Sequence, residues 1–321
     1  MLMMRTLVIY GSKYGSTEEI ASAISMVLGP SRCCRAEEFR PELREFELVV
    51  LGTPIYKGMA SPAIWNFIRE GRDWLSDKPV ALFCTCLNRE DGKRNIDQLQ
   101  ELLGGEVIAS RVFDGRMQLE RLDEADFLGM EVFSKRTGTP FESVDRMDME
   151  AVAEFALELK RERDTRSPGM ERGNLRRLIE AFLASHKICT LACGHCGRVR
   201  ATPIEYNYRD GSIYMLSEGG EKFAHILLNP NVSIAVYDEY VSMATIGGIQ
   251  ISGTATIVAP AEEEYQEILK ARGLRPERIA SLPITLNVIR VRLERAEFLY
   301  AKLKAKGDQI TQVYDFPGAE L

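Results

Sequence analysis

Short apolar runs alternate with amphipathic segments from residue 5 to about residue 160. The runs predict five buried strands, at Thr6–Tyr10, Cys33–Glu37, Leu48–Gly52, Val80–Cys84 and Val107–Phe113. In the segments between them, apolar residues recur at the three- and four-residue spacing that one face of a helix requires. Strands that alternate with helices are typical of βαβ units, so we predict a doubly wound α/β fold with a parallel five-stranded sheet.

Amphipathic helices are predicted between these strands and after the last one. Their apolar positions are Ile20, Ile24, Val27 and Leu28 in the first, Ala63–Phe67 in the second, Ile96, Leu99, Leu102 and Leu103 in the third, and Val152, Phe155, Ala156 and Leu159 in the last. The last helix is expected at about residues 148–161.

The pattern changes after about residue 173, where one helix is followed by a series of short strands. The helix is predicted at Leu175–Ser185, and a second one at Ala261–Arg272. The strands are predicted at Ile188–Ala192, Arg200–Tyr208, Ser212–Leu216, Val232–Tyr237, Gln250–Val258 and Val288–Tyr300. Strands separated by turns such as Arg209–Gly211 indicate a mainly antiparallel β-barrel.

A charged segment without apolar periodicity separates the two patterns. It runs from Arg161 to Gly169 and is broken by Pro168 and Gly169. We therefore predict a first domain at residues 1–162, a linker at 163–172 and a second domain at 173–321. No internal repeat is visible in either half.

Composition and net charge limit which kinds of partner, and which cellular compartment, are expected for this chain. The 321 residues carry a formal net charge of −6, so nucleic acid is not an expected partner. No apolar run approaches the ~18 residues of a membrane span, and Leu7–Tyr10 is too short for a secretory segment. Seven scattered cysteines do not form a disulfide framework. We expect a cytoplasmic protein without a membrane span.

The segment Gly11–Ala21 combines glycines, hydroxyls and one lysine between a predicted strand and a predicted helix. Main-chain N–H groups and the dipole at a helix N-terminus attract anions, and Ser12, Ser16 and Thr17 add hydroxyl donors. The spacing matches neither a Walker loop nor Gly-x-Gly-x-x-Gly. The alternative is a simple helix cap, with Ser16 or Thr17 paired with Glu19.

Two further loops follow strands of the same predicted sheet. Gly52–Gly58 holds Tyr56 between a proline and a glycine, and Thr85–Asn88 is polar. Because the carboxyl ends of parallel strands share one edge, the three loops are expected to meet there. A phosphate loop, an aromatic loop and a polar loop at one edge can hold a flavin.

Ser12–Thr17 resembles the phosphate loop of flavodoxins, and Gly52–Gly58 resembles their second flavin loop. Residues 126–138 and 147–156 are similar to the insert and final helix of flavodoxin-like protoporphyrinogen IX dehydrogenases, in which the oxidant is a quinone. The resemblance covers about residues 5–160. It implies a flavodoxin-like strand order and FMN contacts from Ser12, Lys13, Tyr14, Gly15, Ser16, Thr17, Pro54, Ile55, Tyr56, Lys57, Gly58, Thr85, Cys86 and Leu87.

Three cysteines near the start of the second domain have the spacing of a radical-SAM cluster motif. They are Cys189, Cys193 and Cys196, and Gly219–Glu221 imitates a downstream element of those enzymes. The alternating strands that follow do not suit the α/β barrel that such enzymes need. We expect Cys189 and Cys193 to share one face of a strand, with Cys193–Cys196 as a hairpin turn, and no bound metal. A site built from the three thiols and His195 is the alternative.

Four segments of the second domain form an ordered series that resembles FMN-binding split barrels related to pyridoxamine 5'-phosphate oxidases. They are Gly197–Ile204, Ser212–Lys222, Asn229–Ser233 and Gln250–Ala255. The resemblance implies FMN contacts from Arg200, Ala201, Thr202, Pro203, Ser217, Lys222 and Gln250. It also implies a homodimer formed through the barrel. Residues 204–206 lack the substrate lysine of true vitamin B6 oxidases, and residues 313–317 lack their C-terminal motif, so that activity is not expected.

Both halves thus point to FMN. The leading hypothesis is an FMN-dependent oxidoreductase or electron-transfer protein with up to two flavins per chain, whose partner is a small redox substrate or electron carrier. One alternative is a protoporphyrinogen IX oxidase or dehydrogenase that uses the barrel as an accessory dimerisation module. Another is a non-catalytic flavin- or haem-binding protein. The sequence identifies no catalytic acid or base.

Overall fold

A computed structural model describes residues 4–275, 278–279 and 281–318 of the chain. Its contacts divide these residues into two units, one from Met4 to Ser167 and one from Pro168 onward. Each unit has its own apolar core. The two units are described in turn.

The first domain is built on a parallel sheet. Its strands are β1 (Thr6–Tyr10), β2 (Ser31–Arg35), β3 (Leu48–Tyr56), β4 (Met59–Ala60), β5 (Val80–Cys86) and β6 (Val107–Asp114). The spatial order is β2-β1-β3-β5-β6, all parallel, with the short β4 antiparallel to the end of β3. This order confirms the predicted flavodoxin-like, doubly wound sheet. β2 lies on one side of β1, and β3, β5 and β6 follow on the other side.

Helices cover both faces of this sheet. They are α1 (Ser16–Val27), α2 (Pro62–Leu75), α3 (Arg89–Leu103), α4 (Glu124–Thr137) and α5 (Met149–Arg166). α1 and α5 pack on one face, and α2 and α3 on the other. Every residue of β1 and of β5 is therefore buried, as expected when no face meets water. Two short strands, β7 (Arg116–Met117) and β8 (Val144–Asp145), pair with each other and bracket α4.

Two boundaries differ from the predictions in this domain. β2 lies two residues earlier than expected because Ser31–Arg35 pairs along the whole of β1, and a single helical turn follows at Ala36–Glu38. α5 continues to Arg166, into the predicted linker. Arg163 explains the extension: it is fully buried, and its guanidinium donates to the carbonyl of Gly29 at 3.1 Å. The charged segment around Arg163 therefore forms a packed helical turn, although its sequence shows no apolar periodicity.

The second domain is a barrel of six antiparallel strands with a seventh strand added. The strands are β9 (Ile188–His195), β10 (Arg198–Arg209), β11 (Ser212–Ser217), β12 (Asn231–Tyr237), β13 (Gly247–Val258), β14 (Asn287–Tyr300) and β15 (Thr311–Asp315). The order is β11-β10-β9-β12-β13-β14-β15, and pairing of β11 with β14 closes the barrel. This confirms the predicted mainly antiparallel split barrel.

The α-helices whose bounds the structure gives in this domain are α6 (Arg172–Ser185), α7 (Glu221–Leu228) and α8 (Glu263–Ala271). α7 and β15 were absent from the predicted elements. The buried face of α7 contains Lys222 and His225 beside Ile226, so no apolar stripe marks it. In β15 the buried Gln312 accepts from the N–H of Met170 at 3.0 Å, a contact 142 residues away. Neither α7 nor β15 therefore has a local sequence pattern that would predict it.

The hairpin between β9 and β10 turns later than predicted. β9 continues to His195, and the turn falls on Cys196 and Gly197, whose φ values of 47° and 76° are both positive. Such paired left-handed residues are the geometry of a two-residue hairpin loop. Within the described residues, no helix combines the length and apolar character needed to cross a bilayer.

Candidate functional site

The N-terminus of α1 lies at the carboxyl edge of the parallel sheet. Gly15 precedes the helix with φ 95°, a left-handed conformation that favours glycine. Among the described residues, no side chain caps the first turn of α1. The free N–H groups of this turn and the helix dipole therefore face the loop as an anion site.

The hydroxyls of the loop hold it in place and do not cap the helix. Thr17 Oγ1 lies 2.7 Å from Thr85 Oγ1, which fixes the first loop to the third. Ser16 Oγ donates to the carbonyl of Arg116 and accepts from its N–H, each at 3.3 Å. Ser12 Oγ accepts from the N–H of Gly15 at 3.1 Å. The helix-cap alternative from the sequence is therefore wrong.

The second loop meets the first through aromatic side chains. Tyr56 is 36% exposed, and its hydroxyl accepts from the N–H of Lys13 at 3.4 Å. Its ring lies edge-on to Tyr14, with centroids 5.8 Å apart. Lys57 and Gly58 turn the chain from β3 into β4 with positive φ values of 52° and 78°.

The remaining predicted FMN contacts of this domain differ in how far their side chains are exposed to solvent. Pro54, Thr85 and Cys86 are buried at strand ends, Ile55 is half-buried, and Leu87 is 39% exposed. All three loops thus meet at one edge of the sheet, as the strand order requires. The exposed side chains Tyr56 and Leu87 provide apolar surface there.

Acidic residues of α4 contact the predicted phosphate loop. Asp126 Oδ2 accepts from Lys13 Nζ and from the Tyr14 hydroxyl, each at 2.6 Å, and Asp126 Oδ1 lies 3.0 Å from Lys57 Nζ. Asp123 Oδ2 lies 2.6 Å from the same Lys13 Nζ. These bonds raise the pKa of Lys13 and, with Lys13 as the main cause, lower the pKa of Asp126.

The first site therefore fits a phosphate through its main chain. The lysine charge that the sequence offers for phosphate is already paired with two carboxylates. The uncapped turn of α1 supplies N–H donors, and the hydroxyls close the loop around them. FMN bound here would rest its phosphate on Ser12–Thr17 and its ring system against Tyr56 and the third loop.

The second candidate site brings two cations to one end of the barrel. Arg200 on β10 pairs across the strands with Cys193, whose thiol contacts the carbonyl of Lys222 at 3.9 Å. Arg200 Nη1 lies 2.5 Å from Glu221 Oε2, and Lys222 Nζ donates to the carbonyl of Gly219 at 2.5 Å. Burial, together with the nearby Arg200 charge, lowers the pKa of Lys222.

Polar groups around these cations also suit an anion. Ser217 Oγ donates to the carbonyl of Gly219 at 3.1 Å, beside Lys222. Thr202 Oγ1 is buried, and among the described residues it has no hydrogen-bond partner. A buried hydroxyl without a partner is costly unless a ligand satisfies it. Arg200, Thr202, Ser217 and Lys222 therefore fit a phosphate group.

The other predicted contacts lie on the opposite face of the barrel sheet. Pro203, Thr190, Ala235 and Gln250 form one row across four strands. Ala201 shares the face of Pro203 because strand side chains alternate. β10 and β13 are three strand spacings apart, about 14 Å, so Gln250 does not contact Arg200 within one chain.

The cysteine motif of the barrel does not form a cluster. Cys189 and Cys193 are buried in the barrel core on one face of β9, as predicted, whereas Cys196 is exposed in the turn. Cys196 Sγ lies 3.0 Å from Nε2 of the adjacent His195. In the part of the chain that the structure describes, no group of three His, Cys, Asp or Glu side chains is placed to hold a metal ion.

Family models match both domains. Residues 7–143 match the flavodoxin domain, and residues 175–300 match pyridoxamine 5'-phosphate oxidase. The chain therefore joins a flavodoxin-family domain to a barrel of the pyridoxamine 5'-phosphate oxidase family, and both families are flavin-related. The protoporphyrinogen IX dehydrogenase subtype is not distinguished by these matches.

The three solved structures described next each match about two fifths of this chain. A putative pyridoxamine 5'-phosphate oxidase from Listeria innocua is 21% identical over 39% of this chain and 98% of its own, with a TM-score of 0.32. The haem storage protein HutZ from Vibrio cholerae is 19% identical over 37% of this chain and 90% of its own, with a TM-score of 0.32. A FAD-binding protein from Mesorhizobium loti is 18% identical over 38% of this chain and 89% of its own, with a TM-score of 0.31. These low scores carry no functional argument. No curated protein matches the sequence.

Several residues at the two sites escaped the sequence analysis. Asp123 and Asp126 contact the phosphate loop from more than 100 residues away, and Glu221 pairs with Arg200. The one local signal for the first pair is its spacing, because Asp123 is the N-cap of α4 and its side chain accepts from the N–H of Asp126. That spacing predicts where α4 begins, but it does not predict that Asp123 and Asp126 contact the phosphate loop.

Proposed function

We propose that the chain is an FMN-dependent redox protein that binds one flavin at the carboxyl edge of the parallel sheet and a second at the barrel. The observation that carries the proposal is the uncapped first turn of α1, which presents N–H donors between three loops. The unpartnered buried hydroxyl of Thr202, which lies on the same face of β10 as Arg200, supports the second site together with the buried Lys222.

The chemistry at each site divides between cofactor and protein. Bound FMN supplies one- or two-electron transfer. In the first domain the chain holds phosphate on main-chain donors and covers the ring with Tyr56. In the barrel, Arg200 and Lys222 supply charge-assisted bonds to phosphate. We assign no catalytic acid or base, and the partner is a small redox substrate or an electron carrier.

The first site is tested by adding a charge at the start of α1. In Ser16→Asp, a carboxylate at the first helical position stabilises the helix but repels phosphate. Ser16→Asn can still donate to and accept from the Arg116 main chain, so it controls for shape without charge. The urea midpoint of each variant separates loss of phosphate binding from unfolding. We expect Ser16→Asp to lose one FMN per chain by acid release and absorbance, and Ser16→Asn to retain it. Equal FMN in both variants would refute the assignment.

One observation favours a second candidate, oxidation of a protoporphyrinogen-like tetrapyrrole. None of the 14 residues of α4 is buried, and Leu128, Val132 and Phe133 are 51%, 64% and 41% exposed. Asp126 joins this helix, with its exposed apolar side chains, to the first flavin loop. A large apolar substrate would cover such a surface. Turnover of protoporphyrinogen with a quinone supports this candidate, and turnover with NADH or NADPH alone favours a reductase.

We further propose that the barrel forms a homodimer. Ile188 on β9 and Val199 on β10 are 66% and 89% exposed, and a second copy would cover them. Light scattering that gives a monomer mass at micromolar concentration would exclude this. A chain that binds flavin or haem without turnover of any electron donor would instead fit the non-catalytic alternative. We place the protein in the cytoplasm, to be checked by fractionation.

A further inference from the structure

Arg35 ends β2, and its side chain contacts the phosphate loop Ser12–Thr17 from the β2 side. Nη1 of Arg35 donates to the main-chain carbonyl of Ser12 at 2.8 Å. Nη2 of the same guanidinium donates to Oε2 of Glu18 at 2.5 Å. The guanidinium carbon lies 5.6 Å from the centroid of the Tyr10 ring, within the range of a cation–π contact. One side chain therefore contacts the end of β1, the loop that follows and the first turn of α1.

The contact with Ser12 fixes the orientation of one peptide group in the loop. A trans peptide is planar, so its carbonyl and its N–H point in opposite directions. In the peptide between Ser12 and Lys13, the carbonyl points to Arg35, and the N–H donates to the Tyr56 hydroxyl at 3.4 Å. Arg35 therefore directs the Lys13 N–H toward Tyr56, at the edge where the three loops meet.

No regular secondary structure holds this peptide in place. Residues 11–15 lie between β1 and α1 and belong to neither element. The bond from the Gly15 N–H to the Ser12 hydroxyl closes the loop without involving the Ser12 carbonyl. Among the described residues, the donor to that carbonyl is the Arg35 guanidinium. The orientation of the peptide therefore depends on Arg35.

The direction of this peptide decides how the loop meets a phosphate. A main-chain N–H that faces an anion attracts it, whereas a carbonyl oxygen carries partial negative charge and would repel it. Arg35 keeps the Ser12 carbonyl on the β2 side and leaves the Lys13 N–H for the site. The bond from this N–H to Tyr56 is long at 3.4 Å, so a phosphate oxygen can replace it.

Glu18 holds the guanidinium at the place from which it reaches the Ser12 carbonyl. The side chains of Arg35 and Glu18 are 40% and 41% exposed, so their ion pair adds little to the stability of the domain. A guanidinium presents its donors in one rigid plane, so Arg35 bonds the carboxylate and the carbonyl at once. The ion pair therefore acts on the position of the guanidinium and, through it, on the loop.

We propose that Arg35 is a positioning residue that makes the first site select FMN over riboflavin. The proposal rests on the proposed function, because it requires a flavin at this edge of the sheet. Riboflavin has the ring system of FMN but no phosphate, so its binding does not depend on the direction of the Lys13 N–H. Loss of the Arg35 side chain should therefore weaken the binding of FMN and leave that of riboflavin unchanged.

The test measures both flavins in the full chain, with Lys222→Glu added to remove flavin from the barrel. Fluorescence titrations give the dissociation constants of FMN and riboflavin for this parent, for Arg35→Ala and for Arg32→Ala. Arg32 is an exposed arginine of the same strand and controls for loss of charge. We expect Arg35→Ala to weaken FMN about 10- to 100-fold, the effect of one hydrogen bond to a charged group, and not to change riboflavin. Arg32→Ala should change neither.

High salt separates positioning from a general effect of charge. At about 1 M sodium chloride the Debye length is about 3 Å, so long-range attraction is screened but the direction of the peptide is not changed. We expect the difference in FMN affinity between the parent and Arg35→Ala to persist there. Loss of this difference at high salt, equal weakening of both flavins, or unchanged FMN affinity would overturn the proposal. If Arg35→Ala does not fold, Arg35→Lys, which keeps the charge but not the planar fork, replaces it. A parent that binds neither flavin would refute the proposed function itself, and this proposal with it.

Discussion

The two candidate flavin sites of this chain offer different donors to the same phosphate group. In the first domain the donors are main-chain N–H groups of α1, and Lys13 is paired with Asp123 and Asp126. In the barrel the donors are the side chains of Arg200, which is paired with Glu221, and of Lys222, which is buried. Main-chain donors keep their hydrogens at every pH, whereas a buried lysine loses its charge. The sites should therefore respond differently to packing, substitution and pH.

The largest effect is expected from packing behind the first site. A Cβ at Gly52 would lie 2.2 Å from Cζ of Phe83, its neighbour on β5. The rigid ring cannot move aside, so Gly52→Ala should destabilise the first domain by about 3 kcal/mol. Both tryptophans, Trp65 and Trp74, lie in α2, so their fluorescence during urea unfolding reports this domain.

A second glycine substitution controls for backbone entropy in that experiment. Gly129 lies inside α4 with no atom within 4 Å of an added Cβ. Gly129→Ala should stabilise its helix by up to about 1 kcal/mol. If Gly52→Ala unfolds at the same urea concentration as the wild type, the packing account of the first site is wrong.

Removal of the barrel lysine charge should have the next largest effect. Lys222→Met keeps most of the buried volume but loses a charge-assisted bond worth about 1.5–3 kcal/mol. We expect FMN affinity at the barrel to fall about 10- to 100-fold, with no change at the first site, as measured by equilibrium dialysis of each variant. Lys270→Met, a lysine in the last turn of α8, is the control. Equal affinity loss in both variants would exclude a specific role for Lys222.

Alkaline pH should separate the sites without mutation. The pKa of Lys222 is lowered, so its charge is lost at lower pH than that of an ordinary lysine. The cost of burying the charged form is present below this folded pKa and disappears as pH rises toward 10.5, the ordinary value. FMN affinity at the barrel should therefore begin to fall at a pH below 10.5, as Lys222 loses its charge, while affinity at the first site stays constant. A parallel fall at both sites would contradict the distinction.

The smallest effect is expected at the acidic contact of the first site. Asp126→Asn removes ion pairs that are exposed to solvent, each worth about 0–1 kcal/mol. Lys57 then becomes available to the phosphate, and Lys13 keeps one carboxylate partner, Asp123, instead of two, so FMN should bind a few-fold more tightly. Hydrogen exchange in α4 should accelerate at the same time. Glu124→Gln, the neighbouring carboxylate, should change neither quantity.

The sequence predicted the elements whose signal is local. The buried strands β1, β3 and β5 were found because both of their faces are covered, which makes most of their residues apolar and removes the alternation of apolar and polar positions. The order of the sheet and the meeting of three loops followed from that. α7 was not found, because Lys222 and His225 occupy its buried face.

Contacts between distant segments limited the prediction of the sites. The helix-cap alternative made Ser16 or Thr17 the cap of α1, but the Ser16 hydroxyl bonds to Arg116, 100 residues away. Lys13 was expected to face phosphate, but two carboxylates of the α4 region pair with it. Gln250 was grouped with Arg200 by order along the chain, yet the barrel register puts them on opposite faces. The local sequence pattern therefore predicts which types of residue a site contains, but not which distant residues those side chains contact.

The central claim is that one chain holds two flavins on two kinds of phosphate site, and counting FMN per chain tests it most directly. Wild type, Ser16→Asp, Lys222→Glu and the double variant are each saturated with FMN, desalted and assayed by acid release. We predict two FMN in the wild type, one in each single variant and none in the double variant. A colourless wild type that cannot be loaded with FMN, or equal FMN in all four proteins, would contradict the account.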